Sequence, residues 1–166
     1  MYMFLKKEII KKTYDLLYEK NILQPPIPIV DILEDEGYKI QKRSLSKFQN
    51  GKAVSGVLLL DQKMIIINKD ESEGRQRFTL AYELGHIILH FCGLKGNPEL
   101  GIVVARPFSC DGLDPTEKEA HCFAVNILVP GKWLKYWYER TQDQIQLSKI
   151  FAVSPSVIGS RLLHSF

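Results

Sequence analysis

The run Arg77–His90, RFTLAYELGHIILH, constrains this chain more than any other stretch. On a helix at about 100° per residue, Tyr82, His86, His90 and Glu83 fall near 0°, 40°, 80° and 100°, while Ile87, Leu80, Phe91, Leu84 and Ile88 span about 140° to 240°. One face is chemical and the other is core. Ionisable groups gathered on one side of an otherwise apolar helix are costly to bury unless a metal ion or a hydrogen-bond network satisfies them.

A second stretch, Glu117–Ala124 (EKEAHCFA), answers the first. Glu117 and His121 lie four apart on one helix face, with the small residues Ala120 and Ala124 beside them, so this helix is expected to pack closely against Gly85 of the first. Two histidines four apart, with a glutamate directly after the first, are the pattern by which a single helix offers zinc two imidazoles and a base. Here the pattern reads Tyr82-Glu83-Leu84-Gly85-His86. The glutamate and the second histidine are in place, and tyrosine stands in the first histidine's position.

Composition sets the frame. A chain of 166 residues with 45% hydrophobic and 25% charged content has the size and balance of one compact globular domain that needs no covalent staples, here 1–166. The net charge of +3 is too mild to argue for nucleic acid. No segment has the apolar length of a membrane span. The N-terminus alternates lysine and glutamate with apolar residues instead of building a signal-peptide core, so the expected location is the cytoplasm. Cys92, Cys110 and Cys122 are an odd number without a close pair, which argues against a disulfide framework; Cys122, next to His121, reads as a buried structural thiol in preference to a soft metal ligand.

In chain order, Leu5–Lys20 reads as an amphipathic helix and Ile29–Glu36 as a short one stopped by Gly37. Tyr38–Arg43 reads as an edge strand. Val54–Leu60 and Met64–Ile67 form a hairpin signal, giving a small antiparallel sheet. Arg75 and Arg77 are read as surface or salt-bridge residues, with a role in holding a substrate carboxylate as the alternative. Residues 92–115 form a Gly- and Pro-rich connection, either a lid or a plain connector, before Asp114 and Pro115 open the second site helix. Trp133, Tyr136, Trp137 and Tyr138 are read as core. Residues 144–163 form a helix-turn-helix-like pair whose bases, Lys149, Arg161 and His164, make a poor footprint for DNA. The fold class is therefore α+β, a small sheet packed on helices with a C-terminal helical part.

The Arg77–His90 run, with Glu117-x-x-Ala-x-x-Phe-Ala124 and Leu128-Val-Pro130, resembles the ImmA/IrrE family of metallopeptidases. The likeness extends to Ser55-Gly56, Ile65–Asn68, Arg75-Gln-Arg77 and Phe151-x-Val-Ser154. It implies a zincin-like domain of the gluzincin type and a cytoplasmic Zn2+-dependent endopeptidase acting on a protein substrate. For characterised members that substrate is a helix-turn-helix repressor, often from a phage or other mobile element. Carried over residue by residue, Glu83 becomes the general base, His86 and Glu117 become zinc ligands, and Tyr82 stands where the first histidine ligand belongs. At position 121 the family usually has asparagine or aspartate, and this chain has histidine.

Three readings of Tyr82 stay open at this level. Its phenol ligates zinc as phenolate, since a bound cation favours deprotonation of its ligands. Alternatively, His121 or His90 supplies the missing nitrogen, although His86 and His90 have no carboxylate placed as a base relative to that pair. The third reading is a site that keeps the fold and the partner without the metal. The functional expectations follow: a zinc endopeptidase, a pseudo-peptidase that binds a repressor without cutting it, and, as the weakest, a DNA-binding protein. Neither a membrane nor a nucleic acid is expected as a partner.

Overall fold

The structure, a computed structural model, describes residues 2–45, 54–91, 103–105 and 115–163. Helices α1 (Tyr2–Glu19) and α2 (Ile29–Asp35) lead into strands β1 (Lys39–Arg43), β2 (Gly56–Leu59) and β3 (Met64–Asn68). Helix α3 (Glu73–His86) follows and runs into a π-helical turn, Ile87–Phe91. Strand β4 (Val103–Ala105) precedes helices α4 (Pro115–Leu128), α5 (Gly131–Thr141), α6 (Gln144–Phe151) and α7 (Pro155–Leu163).

The sheet has the order β1-β3-β2-β4. The expected hairpin is present: β2 and β3 pair antiparallel with Leu58 opposite Ile65 and Gly56 opposite Ile67. Strand β4 adds to β2, also antiparallel. Strand β1 takes the edge beside β3 as expected, but runs parallel to it, so the sheet is mixed where an antiparallel one was expected. The hydrophobic pattern that fixes which face of a strand is buried says nothing about its direction, which is set by the path of the chain between strands. The ends of β1 are exposed at Lys39, Lys42 and Arg43, charges that discourage further pairing at an open edge.

Helix α3 lies on the face formed by Leu58, Ile65 and Ile67, all buried. Gly56 makes this approach possible, because a Cβ there would stand 2.7 Å from Thr79 Cγ2. The other side of α3 meets α4, so α3 is covered by strands and helix together and is buried without a break from Phe78 to His86. The core around it joins Phe123, Ile127 and Leu128 of α4 to Ile29, Ile32 and Leu33 of α2 and to Phe151 of α6.

Two arginines stitch the periphery. Arg77 reaches from α3 to donate Nε to the carbonyl of Ala152 at 3.0 Å and Nη2 to the carbonyl of Ile27 at 2.6 Å. Ala152 sits at φ +51 between α6 and α7, a left-handed conformation that is costly for a residue with a Cβ and is held here by that bond. Arg77 is thus an internal tie, against the surface role read from the sequence. Arg161 of α7 donates to Val129 O at 3.1 Å and to Asn126 Oδ1 at 2.8 Å. Its guanidinium is turned inward against the C-terminal end of α4. The aromatic cluster of α5 divides: Trp133, Trp137 and Tyr138 pack on the core, whereas Tyr136 is half exposed with Arg140 stacked on its ring. The lid or connector reading of 92–115, the cap at Asp114, Cys92, Cys110 and His164 lie outside the described residues, apart from β4 and Pro115.

Candidate functional site

Gly85 decides how the site is built. A Cβ at this position would lie 3.0 Å from the carbonyl oxygen of Ala120 and 3.1 Å from its Cα, so glycine facing alanine lets α3 and α4 touch backbone to backbone. This is the packing expected from the sequence. It sets Tyr82 and His86, one turn apart on α3, against Glu117 at the start of α4.

Three side chains meet there. The Tyr82 hydroxyl donates to Oε2 of Glu117 in a short hydrogen bond. The other carboxylate oxygen, Oε1, stands 3.7 Å from His86 Nε2. The rings of Tyr82 and His86 are in edge contact, with centroids 5.1 Å apart. Tyr82 is 9% exposed and His86 3%, whereas the Glu117 side chain is 20% exposed, so the cluster reaches solvent through its carboxylate.

Glu83 is the anomaly of the site. It is 0% exposed, and neither of its carboxylate oxygens has a hydrogen-bond partner among the described residues. Burial, and then the nearby charge of Glu117, push its pKa well above the usual carboxylate range.

The two further histidines sit to either side. The π-helical turn carries His90 toward the N-terminus of α4, where Nε2 lies 3.2 Å from the Thr116 carbonyl and Nδ1 3.9 Å from Glu119 Oε2. Its ring remains 5.4 Å from that of His86. His121 lies one turn further along α4 than Glu117, with its ring 5.6 Å from that of Phe78. Burial, and then the charge of Arg75, lower its pKa. Arg75 itself donates to Ser55 Oγ at 3.1 Å, and Ser55 donates to Glu71 Oε1 at 2.7 Å, so this arginine ties β2 to the start of α3.

The donor set does not fit the three-ligand zinc of the sequence motif. Two protein ligands on one tetrahedral zinc stand about 3.3 Å apart, given metal–ligand bonds of about 2.0–2.1 Å, whereas hydrogen-bonded oxygens stand closer, at about 2.5–3.0 Å. The His86–Glu117 spacing suits a shared ion. Tyr82 and Glu117 are joined instead by a hydrogen bond. Among the described residues, no three His, Cys, Asp or Glu side chains gather into a group that would hold a metal. Sequence reasoning found every member of this cluster but missed the bond between Tyr82 and Glu117. Their positions on the two helices that Gly85 and Ala120 bring together were the available signal.

A glutamate and a histidine on one helix, a second glutamate on the next, and a small sheet alongside define the class: a metallopeptidase-type domain of mixed α+β architecture. The family model of the IrrE N-terminal-like domain matches residues 33–163, and the chain belongs to this peptidase family, which is zinc-dependent in general. Among solved structures, a Mycobacterium tuberculosis transcriptional regulator is similar in fold, with a TM-score of 0.64 and 13% identity over 94% of this chain. The match takes up 46% of the regulator, so this chain spans less than half of that protein's length. No curated protein matches the chain. Among the described residues, no helix is long and apolar enough to cross a membrane.

Proposed function

We propose that this chain is a pseudo-peptidase: it grips a regulatory protein in the family's cleft and does not hydrolyse it. The observation that carries the reading is the Tyr82–Glu117 hydrogen bond, which puts a phenol proton where the family's pattern has a metal–ligand bond. Glu83 is buried without a hydrogen-bond partner among the described residues, so no neighbour there orients its carboxyl as a base. The partner is a helix-turn-helix repressor, from a phage or other mobile element, met in the cytoplasm. This partner rests on the family resemblance. It is supported by the occurrence of the same fold within a longer protein described as a transcriptional regulator.

A second reading is favoured by one distance. His86 Nε2 and Glu117 Oε1, 3.7 Å apart, remain spaced as two ligands of one ion. On this reading the chain is a zinc endopeptidase, with Glu83 as base and Tyr82 as a phenolate ligand.

Hydrolysis separates the two. The helix-turn-helix repressor encoded nearest to this chain, and a denatured protein such as casein, are incubated with the zinc-supplied protein, with Glu83→Gln as the blank. The expected result is no cleavage beyond the blank, together with retention of the repressor on the immobilised protein. Cleavage that disappears in Glu83→Gln would overturn the proposal in favour of the second reading.

A further inference from the structure

The contact between α3 and α4 is set by backbone packing at Gly85 and Ala120, so the separation of the two helices at the site is fixed before any side chain closes it. Three positions point into that fixed gap: 82 and 86 from α3 and 117 from α4. His86 and Glu117 already hold one nitrogen and one oxygen 3.7 Å apart, within the span that two ligands of a single zinc can bridge at a wide angle. The remaining carboxylate oxygen is occupied by the Tyr82 hydroxyl. Glu83, next to Tyr82 in α3, is a fully buried carboxyl without a hydrogen-bond partner among the described residues, the kind of group that a cation compensates.

We infer that the Tyr82 phenol has taken over the structural duty of the family's metal. It ties α3 to α4 through Glu117 and, among the described residues, holds one oxygen of the carboxylate that a divalent cation shared with His86 would need. The inference rests on the pseudo-peptidase reading and adds that metal competence is one substitution away. Returning an imidazole to position 82 removes the hydroxyl proton, frees the second oxygen of Glu117 and supplies the third ligand, with the other two already placed. Phenylalanine removes the tie and supplies nothing in return.

The test is metal content and thermal stability of the full chain purified without chelating tags, dialysed against zinc and then against buffer. The wild-type protein should retain essentially no zinc, and its melting temperature should not respond to the ion. Tyr82→His should retain about one zinc per chain, lose it again when combined with Glu117→Ala, and melt higher with zinc than without. Tyr82→Phe should melt about 3–6 °C below wild type and gain no metal.

Three results would each overturn the inference: about one zinc per wild-type chain that disappears in Glu117→Ala, a folded Tyr82→His that retains none, or a Tyr82→Phe that melts with wild type. The first and third need no Tyr82→His protein, so a misfolded variant leaves the inference open to refutation. Failure here is distinct from failure of the functional reading, which is decided by hydrolysis in the wild-type chain.

Discussion

Helix α3 carries buried polar groups at both ends, and the two ends treat them differently. In its first half, Arg77 is spent on the carbonyls of Ala152 and Ile27, and Arg75 on Ser55 and the charge of Glu71. In its second half, Glu83 is buried without a hydrogen-bond partner among the described residues. A buried polar group that is matched to its neighbours holds a fold together. One that is unmatched costs stability and is retained for chemistry, present or lost. The arginines of the first half are architecture, although Gln76 Oε1 there also lacks a partner among the described residues, and the second half keeps the plan of a site with an ionisable group left unmatched.

The largest effect expected from this contrast is at Glu83, and it depends on pH. Above the ordinary carboxyl value of 4.5 the unfolded chain releases this proton, while the folded chain retains it up to its raised pKa. Through that window the native state binds more protons than the unfolded state, so stability falls as pH rises, by up to about 1.4 kcal/mol per pH unit from this group alone. Glu83→Gln keeps the shape and removes the titration. Urea denaturation at pH 5 and pH 8 should show wild type losing more stability than Glu83→Gln over this interval, with the variant the more stable of the two at pH 8. Equal losses would mean that Glu83 is matched after all, and the contrast between the two halves would collapse.

Next comes Arg77→Met at the matched end. It leaves the carbonyls of Ala152 and Ile27 without their donor and releases the left-handed turn between α6 and α7, with an expected loss of about 3 kcal/mol. Arg77→Lys should recover only part of this, since one ammonium cannot reproduce the guanidinium fork that serves two carbonyls. Both are measured by the shift in urea midpoint. No separate pH dependence is expected, because an arginine does not titrate in the range tested.

At the boundary between the halves, Gly85→Ala should cost about 2 kcal/mol by overpacking against the backbone of Ala120. It should also part Tyr82 from Glu117, so that adding Tyr82→Phe costs less in the Gly85→Ala protein than in wild type. A Gly85→Ala protein as stable as wild type would mean that the helix contact is loose and that the site is not preset by it.

Much of this was legible in the sequence. The chemical and apolar faces of α3, the Gly85–Ala120 contact and the hairpin of β2 and β3 follow from periodicity and residue size, which act locally. What escaped depends on distant partners. The parallel pairing of β1 with β3 is decided by chain path. Arg77 and Arg161 look like surface charges until the carbonyls they serve are brought to them from 75 and 32 residues away. The π-helical turn that carries His90 to Thr116 changes the pitch of a helix whose sequence pattern continues unbroken through His90. For Tyr82 the sequence offered a ligand, a bystander to another histidine, or a lost function. The phenol as hydrogen-bond donor to Glu117 required knowing how two helices meet across 35 residues.

The smallest expected effect sharpens the comparison from the matched side. Ser55 Oγ accepts from Arg75 Nη2 at 3.1 Å and donates to Glu71 Oε1 at 2.7 Å, so one hydroxyl links an arginine and a carboxylate that also attract each other directly. Ser55→Ala removes both bonds, but Arg75 Nε and Glu71 Oε2, 3.8 Å apart, remain placed to close on each other. The expected loss is therefore about 1 kcal/mol, less than two hydrogen bonds to charged groups would suggest. If the urea midpoint instead falls as far as in Arg77→Met, the network has no slack and each of its members is needed. A loss near the smaller value would show that a matched cluster tolerates the removal of one member because the others re-pair, a recourse that Glu83, without a partner among the described residues, does not have.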